Sequence, residues 1–162
     1  MIFVTVGTQL PFNRLLKCVD EHFSNYPTLN VVAQTGTSDY KPKHMKCYQD
    51  LSIQEFDDLF NQASVVIGHA GMGTILTSLC ASKPVCIMPR LVSFDEHRND
   101  HQVGTANRFS QYKGCFVFTS ADDFPKAFSE AQSCNFSSSI NQYAPDATIL
   151  GYKALIDEIM EH

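Results

Sequence analysis

Val65-Val66-Ile67-Gly68-His69-Ala70-Gly71-Met72-Gly73-Thr74 is the stretch on which the reading of this chain turns. Three β-branched residues in succession have the pattern of a strand buried on both faces. Three glycines in the six residues that follow predict a tight turn, and helical spacing from about residue 71 to 81 means that the turn opens directly into a helix. The same alternation extends in both directions. Apolar runs at residues 2–6, 31–33, 85–88 and 115–118 have strand length, as does 64–67. Between them, Phe12, Leu15, Leu16 and Val19 recur at helical spacing. Ser52-Ile53-Gln54-Glu55 has the form of a capping box ahead of Phe56, Leu59 and Phe60, and a further helix is expected over 100–109. Ser120 is expected to cap a fifth helix with Pro125 in its first turn, and 147–160 to form a last one. Strands separated by helices imply right-handed crossovers, hence an α/β fold with a Rossmann-like parallel sheet and helices on both faces. Residues 35–46 are polar and declare no element, and 133–143 read as a loop.

The 162 residues have room for one domain, taken as 1–162, with no repeat or linker to divide it. A content of 44% hydrophobic and 18% charged residues is that of a soluble globular chain. The formal charge of -5, without a Lys/Arg-rich run, argues against nucleic acid as a partner. Six cysteines are scattered with no C-x-x-C pair, and those in Val85-Cys86-Ile87 and Cys115-Phe116-Val117 read as core thiols rather than disulfides. The opening Met1-Ile2-Phe3-Val4-Thr5-Val6-Gly7 shows no signal peptide, so a reducing cytoplasm is the expected setting.

In an open parallel sheet, ligands bind beyond the carboxyl ends of the strands. Gly7 and Thr8 follow the first strand, where a glycine permits close backbone approach, although such a glycine also marks a plain turn. Gly71, Gly73 and Thr74 follow the central strand and offer N–H groups and a hydroxyl to a phosphate. His69, between Gly68 and Gly71, is positioned to donate to a diphosphate oxygen and to have its pKa raised by that anion, against the alternative of a histidine satisfied by backbone. The third polar stretch, residues 89–102, concentrates hydrogen-bonding groups of the kind a sugar needs, or is a solvated loop. His69, His97 and His101 lack any metal-binding spacing, so no metal is expected.

His69-Ala70-Gly71-Met72-Gly73-Thr74, then Lys83-Pro84, Pro89 and His101-Gln102, resembles the nucleotide-sugar half of GT-B glycosyltransferases, the glycosyltransferase family 28 C-terminal domain in particular. The opening Phe3-Val4-Thr5-Val6-Gly7-Thr8-Gln9-Leu10-Pro11-Phe12 is similar to short members that make bacterial exopolysaccharide or capsule, whose eukaryotic relatives include the catalytic subunit of a dolichol-linked N-acetylglucosaminyltransferase. The resemblance runs from residue 1 to about 120. It implies an inverting, metal-independent transfer from a UDP-sugar donor to a polyprenyl-diphosphate-linked sugar acceptor, with no cofactor. By position, His69 would act in catalysis and Gly71 and Thr74 would hold the UDP diphosphate, facing the loop of Gly7 and Thr8. His101 and Gln102 would touch the transferred sugar, supported by Asn99 and Asp100. The family's ribose-gripping glutamate is replaced by Thr77, a substrate-binding candidate that can make a hydrogen bond but not a bidentate charged one, and a glycine before Lys-Pro by Ser82. A chain with room for the donor half alone implies a membrane-anchored partner supplying the acceptor half and holding this subunit at the inner face of the membrane. The helix over 147–160 is then either a docking element or packed on its own sheet. A non-catalytic enhancer of a partner glycosyltransferase is the alternative.

Overall fold

A computed structural model describes residues 1–136, and the helix expected over 147–160 lies outside the described residues. Of the loop expected over 133–143, residues 133–136 are described: Ser133 ends a helix and 134–136 have no regular structure.

The strands are β1 (Ile2–Thr5), β2 (Val31–Gln34), β3 (Lys46–Tyr48), β4 (Val65–His69), β5 (Val85–Met88) and β6 (Cys115–Val117). All pair in parallel, in the order β3-β2-β1-β4-β5-β6. The order reverses between β1 and β4, so a crevice opens beyond their carboxyl ends. The central strands carry apolar residues on both sides because both faces are covered. On one face, α1 (Asn13–Phe23) and α5 (Phe124–Ser133) pack Leu15, Leu16, Val19, Phe124 and Phe128 against Val4, Ile67 and Cys86. On the other, α2 (Ile53–Gln62), α3 (Met72–Cys80) and α4 (His101–Phe109) pack Phe60, Ile75, Leu79 and Phe109 against Phe3, Val66 and Ile87.

Local chemistry explains where these elements start and stop. Ser52 and Glu55 form the expected capping box: Glu55 N–H donates to Ser52 Oγ, and Ser52 N–H donates to the Glu55 carboxylate at 2.8 Å. The carboxyl end of α2 is capped from a distance, because Lys83 Nζ donates to the Asn61 and Ala63 carbonyls at 2.9 and 2.7 Å. Lys83 of the Lys-Pro motif is thus engaged in joining α2 to β5. Helix α3 ends in a Schellman motif, with Ser82 N–H on Leu79 O and Lys83 N–H on Ser78 O. Ser82 there has φ +55°, the left-handed conformation that favours glycine.

Three expectations shift. Strand β4 extends two residues past the apolar run of 64–67 and ends at His69, the strand-end position expected for that histidine. Ser120 does not cap α5 directly; its Oγ accepts from Asp123 N–H in a preceding turn, and the helix starts at Phe124. Within polar segment 35–46, the chain makes a compact crossover into the edge strand β3. Asp20 of α1 organises it, accepting from the backbone N–H groups of Lys43 (3.0 Å) and His44 (2.7 Å) and from the Tyr40 hydroxyl (2.9 Å). Burial opposes ionisation of Asp20, but these donors together hold its carboxyl below the ordinary value.

All six cysteines are free thiols. Cys18, Cys86 and Cys115 are buried, and burial raises all three, Cys18 and Cys115 to about 12. Cys80 and Cys134 are half-buried and Cys47 is exposed on β3.

Candidate functional site

The loops after β1 and β4 meet at the reversal in strand order and line a cavity of about 530 Å³. Its floor begins with Thr5, whose hydroxyl donates to Gln34 Oε1 at 2.8 Å and accepts from Gly7 N–H at 3.1 Å. That bond turns the chain at Gly7, which has φ +79°. The turn presses Gly7 against the imidazole of His69, and a Cβ at position 7 would lie 2.8 Å from Cε1. Gly71 closes on the same ring, where a Cβ would lie 2.2 Å from Nε2. Two glycines therefore clasp one imidazole. At Gly73 a Cβ would meet nothing within 4 Å, so the first turn of α3 presents bare backbone to the cavity.

The clasp leaves His69 Nδ1 buried without a hydrogen-bond partner. Burial pulls the imidazole down to about 4, helped by the Arg90 cation and by His97. His69 is therefore neutral at pH 7, one ring nitrogen a donor and the other an acceptor. The sequence led to the expectation of a pKa raised by an anion; burial and Arg90 instead act in the opposite direction.

Arg90 follows β5 and lies beneath the loop after β1. Its guanidinium donates to the carbonyls of Val6 and Leu10, both at 2.8 Å, and to that of Pro11, while stacking on Phe12 with 4.5 Å to the ring centroid. Burial lowers its pKa to about 10, with Glu96 acting the other way, so it remains a cation that both straps the loop and lines the cavity. A second strap holds the loop after β5. Arg14 of α1 forms a two-pronged pair with Glu96 (2.8 and 2.7 Å) and donates to Pro89 O and Thr119 O; Glu96 also accepts from Leu91 N–H.

Of the residues singled out from the sequence, Gly7, Thr8, His69, Gly71, Gly73, Thr74 and Gln102 line this cavity together. Gln102 is buried, with Oε1 accepting from Arg90 N–H at 3.1 Å. Thr77, Asn99, Asp100 and His101 are not among the lining residues. Thr77 is half-buried one turn along α3, and the other three are exposed. Asp100 holds the loop by accepting from Val92 N–H at 2.9 Å, while Asn99 pairs with the His101 ring.

Sequence reasoning missed six contributors. Arg90 and His97 stood unassigned in the polar stretch after β5. Leu51, Ile53 and Phe56 build an apolar wall opposite the glycine-rich turns, and Asp57 is the only carboxylate among the lining residues. A usable signal was present in Ile53, an apolar residue set between the polar Ser52 and Gln54-Glu55 of the capping box, and the structure leaves it 84% exposed at the first position of α2. The cavity thus offers an apolar wall, a bed of backbone N–H groups and a cation, the complement of a ligand with one flat apolar end and an anionic middle. Among the described residues no group of three or more His, Cys, Asp or Glu side chains could hold a metal, and no helix is long and apolar enough to cross a membrane.

Comparison with solved structures shows the same fold in several proteins. ALG13, solved by NMR, matches with a TM-score of 0.61 at 18% identity over 99% of this chain and 96% of its own. The glycotransferase of kitacinnamycin matches with a TM-score of 0.61 at 16% identity over 99% of this chain, which spans 39% of that protein. MurG of Acinetobacter baumannii matches with a TM-score of 0.57 at 15% identity, this chain spanning 52% of its length. No curated protein sequence matches. The family model of the glycosyltransferase family 28 C-terminal domain matches residues 1–122, which include both glycine-rich turns, the clasped His69 and the loop after β5, and the chain accordingly belongs to that family.

Proposed function

We propose that this chain is the donor-binding, catalytic subunit of a two-component glycosyltransferase that moves a sugar from a UDP-sugar to a polyprenyl-diphosphate-linked acceptor in exopolysaccharide or capsule biosynthesis. The observation that carries the reading is the imidazole of His69, gripped by Gly7 and Gly71 at the strand reversal with a buried nitrogen left unpaired. A polar atom in that state is rare in a folded protein unless a ligand completes it. The uracil lies on Leu51, Ile53 and Phe56, and the diphosphate on the turns at Gly7-Thr8 and Gly71–Thr74. Thr77 stands off the cavity, so the carboxylate available to the ribose hydroxyls is Asp57.

In the transfer, an acceptor hydroxyl oxygen attacks the anomeric carbon while its proton passes to a general base, and the bond from that carbon to the diphosphate breaks. The electron pair leaves with UDP, and attack from the opposite face inverts the configuration. Charge grows on the diphosphate oxygen, where aligned N–H groups, the His69 N–H and the Arg90 cation are already oriented. No step calls on a metal ion. The acceptor half of the cleft comes from a membrane-anchored partner. Exposed Leu10, Val92 and Phe94, on the loops beyond β1 and β5, are apolar surface of the kind a partner covers. A lipid-linked acceptor places the complex at the inner face of the membrane.

Calorimetry with UDP and a panel of UDP-sugars, with and without the partner, tests the reading, and no detectable binding in either case refutes it. Thr77 favours a second reading, in which the chain is a non-catalytic enhancer of its partner. UDP release by the reconstituted complex separates them: His69→Ala abolishes turnover if this subunit is catalytic and leaves it unchanged if it only stabilises.

A further inference from the structure

The described residues contain two buried side-chain nitrogens without a hydrogen-bond partner, His69 Nδ1 and His97 Nδ1, and both histidines line the same cavity. The buried carboxylate of Asp20 and the guanidinium of Arg90, by contrast, are hydrogen-bonded. An unsatisfied buried nitrogen costs about 1–3 kcal/mol, which makes two in one cavity a specific feature requiring a cause. For His69 the diphosphate supplies it. His97 has a different position. It sits on the loop after β5, the strand next to β4 on the side away from β3, which leads into α2, and Gln102, which also lines the cavity, is tied to the start of that loop by its bond from Arg90 N–H. A nucleotide-sugar laid with its base on α2 and its diphosphate on the turns after β1 and β4 carries its sugar onto this flank.

We propose that His97 hydrogen-bonds a hydroxyl of the transferred sugar and so contributes to the choice of donor. This rests on the reading of the cavity as a UDP-sugar site. A hydroxyl both donates and accepts, so it satisfies Nδ1 in either neutral tautomer, whereas a phosphate oxygen requires an N–H. The loop is built to hold the ring still. Glu96, the preceding residue, is fixed by Arg14 and by Leu91 N–H, and the His101 ring packs edge-on against His97 with centroids 4.5 Å apart. His101, named from the sequence for this task, is the outer support of that ring.

The test compares UDP with UDP-glucose, UDP-galactose and UDP-N-acetylglucosamine by calorimetry on the full chain. The wild type is expected to bind one sugar nucleotide more tightly than UDP. His97→Ala should leave the UDP affinity within twofold and reduce that preference by about five- to tenfold, the worth of one neutral hydrogen bond. His97→Asn, with the thermal midpoint of each variant, controls for loss of fold and should restore part of the preference. An equal fall for UDP and UDP-sugar would place the imidazole on the diphosphate and overturn the assignment. An unchanged preference, or a wild type that binds all four alike, overturns it too while leaving the donor-site reading in place. If the wild type binds none of them, both fall together.

Discussion

Replacing Gly71 with alanine puts a Cβ 2.2 Å from His69 Nε2 and 2.7 Å from Cδ2, where ordinary contact needs about 3.5 Å. The ring must move by more than an ångström. The backbone at position 71 has φ -92° and ψ 138°, which alanine adopts freely, so the substitution acts on the imidazole alone. Two costs follow. Crowding should destabilise the fold by about 1–3 kcal/mol, near the lower figure if the ring swings into the open cavity. Displacement removes the imidazole from the anion, and a hydrogen bond to a charged group is worth about 1.5–3 kcal/mol, so UDP should bind roughly ten- to a hundredfold more weakly. Calorimetry with UDP reads the second cost, and urea unfolding reads the first. The decisive comparison is the pair of variants made in a His69→Ala background. Without the ring, Gly71→Ala should cost nothing further in stability or affinity. A penalty that persists there, or wild-type UDP affinity in Gly71→Ala itself, would refute the clasp as the reason for this glycine.

Arg90→Met should cost about 3–5 kcal/mol, because the carbonyls of Val6, Leu10 and Pro11 lose a buried donor together; a denaturation midpoint close to wild type would show that the loop after β1 holds itself. His69 stays neutral in the folded protein down to about pH 4, whereas the unfolded chain protonates it near pH 6.5. Stability should therefore fall as pH falls through that window, by up to about 3 kcal/mol, and His69→Ala should flatten this part of the profile in equilibrium unfolding. Asp57→Asn should erase a preference for UDP over 2′-deoxy-UDP, and calorimetry that finds no such preference in the wild type counts against Asp57 as the ribose ligand. Ser82→Gly should stabilise the chain by about 1 kcal/mol by relieving a left-handed serine at φ +55°, seen as a rise in thermal midpoint.

The parallel sheet is legible in the sequence, because strands buried on both faces and helices with one apolar stripe leave strong periodic signals. Strand β3 is not, since Lys46 and Cys47 lie exposed on the sheet edge and carry no such signal. Its placement depends on Asp20, a residue of α1 that binds the chain more than twenty positions later. Composition cannot register a pairing of that kind.

The site divides the same way. Local sequence alone set the two glycine-rich turns and the histidine between them, because backbone freedom and strand-to-helix geometry are properties of a few adjacent residues. Tertiary structure decided that Gly7 and Gly71, far apart in the chain, close on one imidazole, that Arg90 lies under the first loop, and that His97 rather than His101 lines the cavity. Those facts follow from the reversal of strand order between β1 and β4, which brings distant loops to one edge of the sheet. Burial then fixes which of their polar atoms are left for a ligand.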